Sequence, residues 1–170
     1  MSRNIKVALL GNPNTGKTSL FNALTALNQK VGNYPGVTVD KKTGSCKLNK
    51  SITAKIIDLP GTYSINTNSI DEDVAIKVLT DSNNKYYPDV VLVVADVENL
   101  KRNLLIYTQI KNLGIPTLLV INMADQMQKK GILLNLDNLD FRLKTKITLI
   151  STKQNVGIDL LKKTLVDFTS

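Results

Sequence analysis

Short apolar runs rich in β-branched residues alternate along the chain with longer amphipathic segments. The apolar runs predict buried strands at residues 5–10, 54–58, 90–95, 117–121 and 147–150. Apolar residues recur every three to four positions in the segments between most of them, which predicts helices at residues 17–27, 70–80, 98–113 and 157–168. This alternation is typical of βα units around a mostly parallel sheet.

One pair of apolar runs departs from the βα pattern. Residues 43–48 lead through Asn49, Lys50 and Ser51 into residues 52–58, which predicts an antiparallel hairpin at one edge of the sheet. No repeat, low-complexity linker or shift in composition marks a second domain. We therefore expect a single three-layer α/β domain over residues 1–170, with a mostly parallel six-stranded sheet and one antiparallel edge strand.

A glycine-rich segment directly after the first predicted strand matches the phosphate-binding pattern G-x-x-x-x-G-K-[ST]. It consists of Gly11, Asn12, Pro13, Asn14, Thr15, Gly16, Lys17 and Thr18, and Ser19 follows it. The glycines let backbone N–H groups face a phosphate at the positive end of the next helix, and Lys17 adds a charge. Thr18 supplies a hydroxyl to Mg²⁺. The alternative is a glycine turn before an ordinary helix, but the strand-loop-helix context favours a P-loop NTPase.

A carboxylate ends the run at 54–58, and a glycine follows shortly afterwards. Asp58 and Gly61 form a D-x-x-G pattern at the end of a strand, where α/β sheets present ligands. After a P-loop, this pattern predicts that Asp58 holds Mg²⁺ through water while the Gly61 N–H bonds the γ-phosphate. The alternative is a turn that ends the strand.

Two later segments predict recognition of the guanine base. Asn122, Met123 and Asp125 follow the run at 117–121, and an Asp there accepts hydrogen bonds from N1–H and the exocyclic amine of guanine. Their alternative is a helix cap. Ser151, Thr152 and Lys153 follow the last predicted strand, and their backbone N–H groups are placed to reach the guanine oxygen; their alternative is a plain loop. The order and spacing of all four elements indicate a GTP-specific switch protein.

Composition narrows the chemistry further. The chain has no histidine, so any catalysis proceeds without imidazole. Cys46 is the single cysteine, which excludes an internal disulfide. The net charge of +8 comes from scattered basic residues without interleaved aromatics, so we expect a solvated lysine-rich surface and no nucleic-acid partner.

With these motifs in hand, the chain resembles the TRAFAC GTPases, and among them the N-terminal G domains of the ferrous iron transport protein B (FeoB) family. The resemblance covers essentially the whole chain. Its specific pointers are the G-N-P-N loop followed by S-L-F-N at 19–22, V-G-N-Y-P-G-V-T-V at 31–39, D-L-P-G-T-Y-S at 58–64 and S-I-D-E at 69–72. The resemblance implies a Ras-like G domain.

The resemblance also assigns roles to individual residues. Residues 31–39 correspond to switch I, where Gly36, Val37 and Thr38 meet the nucleotide and the Thr38 hydroxyl binds Mg²⁺. Asn14 corresponds to an asparagine that holds K⁺ against the phosphates, although a role as a turn former is its alternative. Tyr34 either covers the nucleotide or is an exposed anchor.

Thr62 stands where Ras-like enzymes carry the glutamine that orients water. Lys17, Asn14 and Thr38 are then the predicted catalytic residues, with GTP or GDP, Mg²⁺ and K⁺ bound at one site. We expect slow hydrolysis that K⁺ stimulates more than Na⁺.

The family context predicts a longer parent protein. It implies a helical segment and transmembrane transport domains as partners, a position at the cytoplasmic face of the bacterial inner membrane, and assembly into an oligomer through the membrane domain. The chain has no signal-peptide pattern or membrane-spanning apolar run, so we expect this fragment to be soluble. The alternatives are a free-standing ribosome-assembly or tRNA-modification GTPase and a nucleotide-binding module with negligible hydrolysis.

Overall fold

The computed structural model describes residues 3–26, 29–66 and 69–170, which form one seven-stranded sheet between two layers of helices. The strands are β1 Arg3–Gly11, β2 Gln29–Asn33, β3 Asp40–Lys47, β4 Ile52–Asp58, β5 Val90–Asp96, β6 Thr117–Asn122 and β7 Ile147–Leu149. The helices are α1 Lys17–Thr25, α2 Ile70–Thr80, α3 Leu100–Asn112, α4 Asp125–Lys130, α5 Leu136–Leu143 and α6 Ile158–Thr169. Across the sheet the strand order is β2-β3-β4-β1-β5-β6-β7.

The strand pairing confirms the predicted three-layer α/β class and the mostly parallel sheet. β1 pairs in parallel with β4 and β5, and the parallel pairing continues through β6 to β7. The predicted hairpin is the antiparallel pair β3–β4.

The expected number of strands was wrong by one. The sheet has seven strands rather than six, because β2 adds a second antiparallel strand outside β3. Every residue of β2 is exposed, so this strand has no buried face and its sequence carries no apolar alternation.

The central strands are apolar because both of their faces are covered. Every residue of β5 and of β6 is buried. On one face α1 and α6 pack against the sheet, with Phe21 fully buried. On the other face α2 and α3 pack, with Tyr107 fully buried. Two continuous apolar layers therefore hold the sheet.

The helices agree with the sequence pattern except at some ends and in two short elements. α1 ends at Thr25, and the last position of the predicted helix, residue 27, lies outside the described residues. The sequence analysis did not predict α4 and α5. Both helices are short, and neither contains a fully buried residue, although Leu136, Leu139 and Leu143 of α5 pack against the core. In the described ranges, no helix has the length and apolarity that a membrane crossing requires.

The strand register brings the ends of four strands to one edge of the sheet. Asp58 at the end of β4 pairs with Leu9 of β1, and Asp96 at the end of β5 pairs with Asn122 at the end of β6. Gly11 ends β1 beside β5. The carboxyl edge of a parallel sheet is where α/β folds bind ligands, and here it carries the predicted motifs.

Candidate nucleotide-binding site

The loop between β1 and α1 turns twice through the left-handed region of backbone space. Asn14 has φ 68° and Gly16 has φ 83°; asparagine tolerates this conformation and glycine adopts it without strain. The Thr15 hydroxyl donates to the Asn12 carbonyl over 3.0 Å, which closes the turn. Because no described side chain caps the N-terminus of α1, the first backbone N–H groups of the helix are available to an anion.

Beside the phosphate loop lies a cleft of about 360 Å³. Its lining comes from α1, from β3 and the segment before it, from the end of β4 and the segment after it, and from α2. The residues are Lys17, Thr38, Val39, Asp40, Lys42, Asp58, Leu59, Pro60, Gly61 and Asp71. The Lys17 ammonium and the Asp58 carboxylate form an ion pair within it, and their side chains are only 12% and 10% exposed. Lys17, Thr38, Asp58 and Gly61, predicted from three separate motifs, thus meet in one place.

Tyr34 anchors the segment that presents Thr38. Tyr34 is buried, its N–H donates to the Val39 carbonyl over 3.0 Å, and its hydroxyl donates to the Asp58 carbonyl over 3.4 Å. Its ring meets the Tyr86 ring edge to face at 5.8 Å. Burial, and then the nearby negative charge of Asp58, raise the pKa of Tyr34 well above its usual range. Tyr34 is therefore an internal anchor and not the exposed anchor that was one of its two predicted roles.

Thr62 points away from the cleft. It is fully buried, and its N–H donates to the Gly11 carbonyl over 3.0 Å. Its hydroxyl donates to the Ser64 carbonyl over 2.7 Å and lies 3.1 Å from the Glu72 carboxylate. The side chain that replaces the Ras-type glutamine is thus fixed inside the fold and does not face the predicted phosphate position.

Asn122 joins the phosphate loop to the last loop of the site. It is 1% exposed, and its amide nitrogen donates to the Thr15 carbonyl over 3.1 Å and to the Thr152 hydroxyl over 3.3 Å. The Thr152 N–H donates back to the Asn122 amide oxygen over 3.1 Å. A Cβ on Gly16 would lie 2.2 Å from the Asn122 amide nitrogen, so the loop approaches this side chain as closely as only glycine permits.

Two hydrogen bonds position the carboxylate of Asp125, the residue predicted to bind the guanine base. The Ser151 hydroxyl donates to one of its carboxylate oxygens over 2.7 Å, and the Gln126 amide donates to the other over 2.8 Å. The hydrogen bond from Ser151 is the main cause that lowers the pKa of Asp125 below its ordinary value. The carboxylate therefore stays charged at neutral pH, and each oxygen keeps a lone pair for a further donor.

The remaining predicted residues lie around these contacts. Pro13, Asn14, Thr18, Ser19, Gly36, Thr38 and Lys153 are exposed, and Val37 and Met123 are half-buried. Their contacts with nucleotide, Mg²⁺ and K⁺ stay predictions. Asn12 is 2% exposed, and its side-chain oxygen has no partner among the described residues.

Sequence reasoning missed some residues of the cleft. Asp40 and Lys42 line it although no motif pointed to them, and the only available signal was their closeness to Thr38 along the chain. Glu72 belonged to a family pointer, but only the structure shows that it holds Thr62.

The phosphate loop lies at the carboxyl edge of this sheet, and Asp58 lies in the cleft beside it. Asp125, positioned by hydrogen bonds, follows β6, the next strand but one from β1. This combination defines the G domain of a P-loop GTPase fold. The family model described as ferrous iron transport protein B matches residues 5–165. The chain belongs to the FeoB family.

Individual relatives agree with this family. The Fe(2+) transporter FeoB of Leptospira biflexa is 45% identical over 159 residues, which cover 94% of this chain and 22% of that protein. The G domain of T. maritima FeoB superposes with a TM-score of 0.90 at 37% identity, covering 99% of this chain and 100% of that one. The cytosolic domain of T. maritima FeoB in GDP form I superposes with a TM-score of 0.92 at 38% identity, covering all of this chain and 65% of that one.

The chain spans about a fifth of the length of the curated relatives that it matches. Their similarity extends over nearly the whole chain, so the alternative of a ribosome-assembly or tRNA-modification GTPase is not favoured.

Proposed function

We propose that this domain binds GTP and GDP with Mg²⁺ and hydrolyses GTP slowly, as a switch. The observation that carries the proposal is the bridge made by Asn122, whose amide contacts both Thr15 of the phosphate loop and Thr152 of the base-reading loop. The bridge holds the phosphate loop and the loop that carries Thr152 at a fixed distance from each other. This supports a single site that binds phosphate at one loop and the base at the other. A GDP form of the T. maritima relative supports nucleotide as the ligand.

Guanine specificity rests on Asp125. Guanine offers two adjacent donors, N1–H and the 2-amino group, and the charged carboxylate accepts both while keeping its bonds from Ser151 and Gln126. Adenine lacks this donor pair. The lowered pKa of Asp125 keeps the acceptor ionised when the base arrives.

The donor set of the cleft fits Mg²⁺, which prefers oxygen ligands. Asp58 lies in the cleft with Thr38 on its wall, and Thr18 follows Lys17 at the start of α1. Asp58, Thr38 and Thr18 would hold the ion, which would supply positive charge against the phosphates. Lys17 now pairs with Asp58, so we expect its ammonium to exchange that partner for phosphate oxygens when GTP binds.

A monovalent cation fits the exposed apex of the phosphate loop. Asn14 is exposed there, and its amide oxygen is a neutral ligand of the kind K⁺ accepts. Asn14 would hold the ion, which would supply positive charge beside the phosphates, where other GTPases use an arginine.

Hydrolysis in this site depends on main-chain groups and fixed charges. Histidine is absent from the chain, and Thr62 is buried with its hydroxyl bonded to Ser64. Lys17 stabilises the phosphate charge, the Gly61 N–H bonds the γ-phosphate, and backbone groups place the water. Turnover without a side-chain base is expected to be slow.

The test of guanine recognition is the variant Asp125→Asn. Xanthine carries a carbonyl at C2 in place of the amino group of guanine. The amide N–H of the introduced asparagine can donate to that carbonyl, whereas it cannot accept from the guanine amine. We expect GTP affinity to fall by about a hundredfold or more while xanthosine triphosphate affinity rises. Unchanged GTP affinity in a titration would contradict the assigned base site.

The test of hydrolysis and of the cation is turnover measured in K⁺ and in Na⁺. We expect faster turnover in K⁺, and loss of that difference in Asn14→Gly, which keeps the loop conformation but removes the side-chain oxygen. Equal rates in both salts would remove the cation role. Turnover equal to the uncatalysed decay of GTP would leave only a nucleotide-binding module.

For the parent protein we propose that the switch couples nucleotide state to Fe²⁺ uptake at the cytoplasmic face of the membrane, through helical and transmembrane domains outside this chain. Residues 1–170 are then its G domain, and any oligomer forms through the membrane portion. The name Fe(2+) transporter on relatives of which this chain spans about a fifth supports the proposal. Loss of Fe²⁺ uptake in a parent protein carrying Asp125→Asn, restored by xanthosine triphosphate, tests it.

A further inference from the structure

A second groove, of about 1050 Å³, lies on the face of the sheet at β1, β2, β3 and β4. Its lining is largely polar and small: Asn4, Ile5, Lys6, Gln29, Lys30, Thr43, Gly44, Ser45, Thr53, Lys55 and Asp89. None of these residues lines the nucleotide cleft. The groove is therefore separate from the nucleotide site.

Lysines are concentrated at this groove. Lys6 and Lys55 are register partners on the adjacent strands β1 and β4, so their side chains share one face of the sheet. The ammonium groups of Lys41, Lys55 and Lys85 lie 5.1, 5.4 and 5.0 Å from the centre of the Tyr86 ring. Lys6, Lys30 and Lys55 line the groove, and Lys41 and Lys85 join Lys55 around Tyr86. Together these five residues are the groove lysines.

The groove lysines have no acidic partner in residues 3–26, 29–66 and 69–170. The salt bridges of those residues are Lys17–Asp58 and Lys130–Glu98. Asp89 is the one carboxylate in the lining, and it accepts a hydrogen bond from the Lys6 backbone N–H over 2.7 Å. Like charges placed side by side repel, so this arrangement is stabilised when an anion binds.

The tyrosine among the lysines reports the same positive field. Burial by itself raises the pKa of Tyr86, but the hydrogen bonds and charges of Lys41 and Lys85 outweigh it, and the pKa is lowered. The Lys41 ammonium donates to the Tyr86 hydroxyl over 2.9 Å.

The chemistry of the groove favours phosphate groups at a surface over a protein or RNA partner. All its cations are lysines, which bind phosphate as point charges, whereas protein interfaces are enriched in arginine and exposed aromatics. Tyr86 is only 6% exposed, so it offers no ring for a base to stack on. Clusters of lysines of this kind bind anionic lipid headgroups.

We propose that the groove lysines dock this domain on a membrane surface that contains anionic phospholipids. The inference rests on the proposed function, because a membrane-borne parent keeps the domain close to such a surface. The proposal also defines how the domain is oriented at the membrane: the lysine-lined face of β1, β3 and β4 is turned toward the lipid.

The experiment compares binding of the chain to phosphatidylcholine vesicles with and without phosphatidylglycerol, measured by co-sedimentation. The test variant is Lys55→Gln/Lys85→Gln. The control is Lys129→Gln/Lys163→Gln, which removes the same charge from α4 and from α6, the helix that packs on the opposite face of the sheet. We expect binding only to phosphatidylglycerol vesicles, about thirtyfold weaker in the test variant. Binding should weaken far less in the control, because its lysines do not line the proposed docking face.

Several outcomes would overturn the proposal. Equal losses of vesicle affinity in both variants would show that binding depends on net charge and not on a particular face. Absence of binding to phosphatidylglycerol vesicles would contradict the docking surface itself. Release from vesicles by low concentrations of pyrophosphate would indicate a site for free phosphate, and tighter binding to tRNA, lost in the test variant, would indicate RNA.

The same samples keep this proposal distinct from the proposed function. GDP affinity and GTP turnover are measured in both variants, and we expect neither to change, because the four substituted lysines lie outside the nucleotide site. Vesicle binding without GTP turnover would contradict the proposed switch function and support the docking face. GTP turnover without vesicle binding would support the switch function and contradict the docking face.

Discussion

At the scale of single residues, the site depends on side chains that hold two parts of the fold together. Asn122 bonds to Thr15 and to Thr152, and Gly16 leaves just enough room for it. Ser151 holds Asp125. Substitutions at these positions should therefore change nucleotide affinity by breaking particular hydrogen bonds. Comparable residues elsewhere in the chain serve as matched controls.

Replacing Gly16 by alanine should weaken GDP binding as well as destabilise the fold. Gly16 and Gly114 share nearly the same backbone conformation, φ 83° and φ 79°, but only Gly16 has a neighbour, Asn122, in the space of a Cβ. Gly114→Ala should lower the free energy of unfolding by about 1–2 kcal/mol, from backbone strain alone. Gly16→Ala should add a loss of about tenfold or more in GDP affinity, because Asn122 must move away from Thr15 and Thr152.

Urea unfolding and GDP titration of the two alanine variants measure these effects. Equal GDP affinities in Gly16→Ala and Gly114→Ala would show that the position of Asn122 does not matter for the nucleotide.

Replacing Ser151 by alanine should raise the pKa of Asp125. The Ser151 hydroxyl stabilises the charged carboxylate and is the main cause of its lowered pKa, so its loss returns the pKa toward the ordinary value. A carboxylate with a lowered pKa keeps its charge until the pH falls through that pKa. Guanine affinity in Ser151→Ala should therefore begin to fall at a higher pH than in the unmodified domain.

A carbon NMR titration of the Asp125 carboxyl, together with GDP affinity across the acidic range, checks the prediction. Ser151→Thr keeps a hydroxyl and should restore the low pKa. A midpoint that is the same with alanine and with serine would refute the role of this hydrogen bond.

At the scale of elements, α3 holds the segment that follows Asp58. The Arg102 guanidinium lies 4.6 Å from the centre of the Tyr63 ring, and the Gln109 side chain accepts a hydrogen bond from the Ile65 N–H over 3.0 Å. Thr62 is bonded to Gly11 on the opposite side. The segment is thus fixed between the phosphate loop and α3, with Gly61 at the cleft.

Removing the Gln109 acceptor should loosen this segment without unfolding the domain. In Gln109→Ala the Ile65 N–H loses its partner, and its hydrogen exchange should accelerate by about tenfold, the equivalent of one hydrogen bond. Thr108→Ala, on the exposed side of the same helix, is the control. Exchange followed by NMR would speak against the contact if the Ile65 amide exchanged equally fast in both variants.

At the scale of the whole molecule, stability comes from two apolar layers on one sheet. Phe21 of α1 is fully buried in the layer under α1 and α6, whereas Phe168 of α6 is 41% exposed. Phe21→Ala should lower the free energy of unfolding by about 3–5 kcal/mol, from lost burial and the cavity left behind. Phe168→Ala should cost about 1 kcal/mol or less.

Denaturant unfolding of both phenylalanine variants gives the two free energies directly. Similar losses would mean that Phe21 does not occupy the core position described.

The amino-acid sequence predicted the parts of this protein whose signal is local. The buried strands β1, β5 and β6 appear as apolar runs because both of their faces are covered, and the phosphate loop appears as a motif because its backbone path requires glycines at fixed spacing. The sequence did not predict the edge strand β2 or the short helices α4 and α5. β2 is fully exposed and α4 has no buried residue, whereas α5 has leucines at helical spacing and was missed because it is only eight residues long.

By itself, then, the sequence determined the class of fold, the phosphate-loop motif and the candidate residues for guanine recognition, because each pattern depends on neighbours along the chain. Only the tertiary structure decided that Asn122 bridges two loops and that Tyr34 and Thr62 are internal. It also decided that three lysines line one groove while two more join Lys55 around Tyr86. These contacts join residues far apart in the chain, and their distances are set by strand register and helix packing, which no local pattern records.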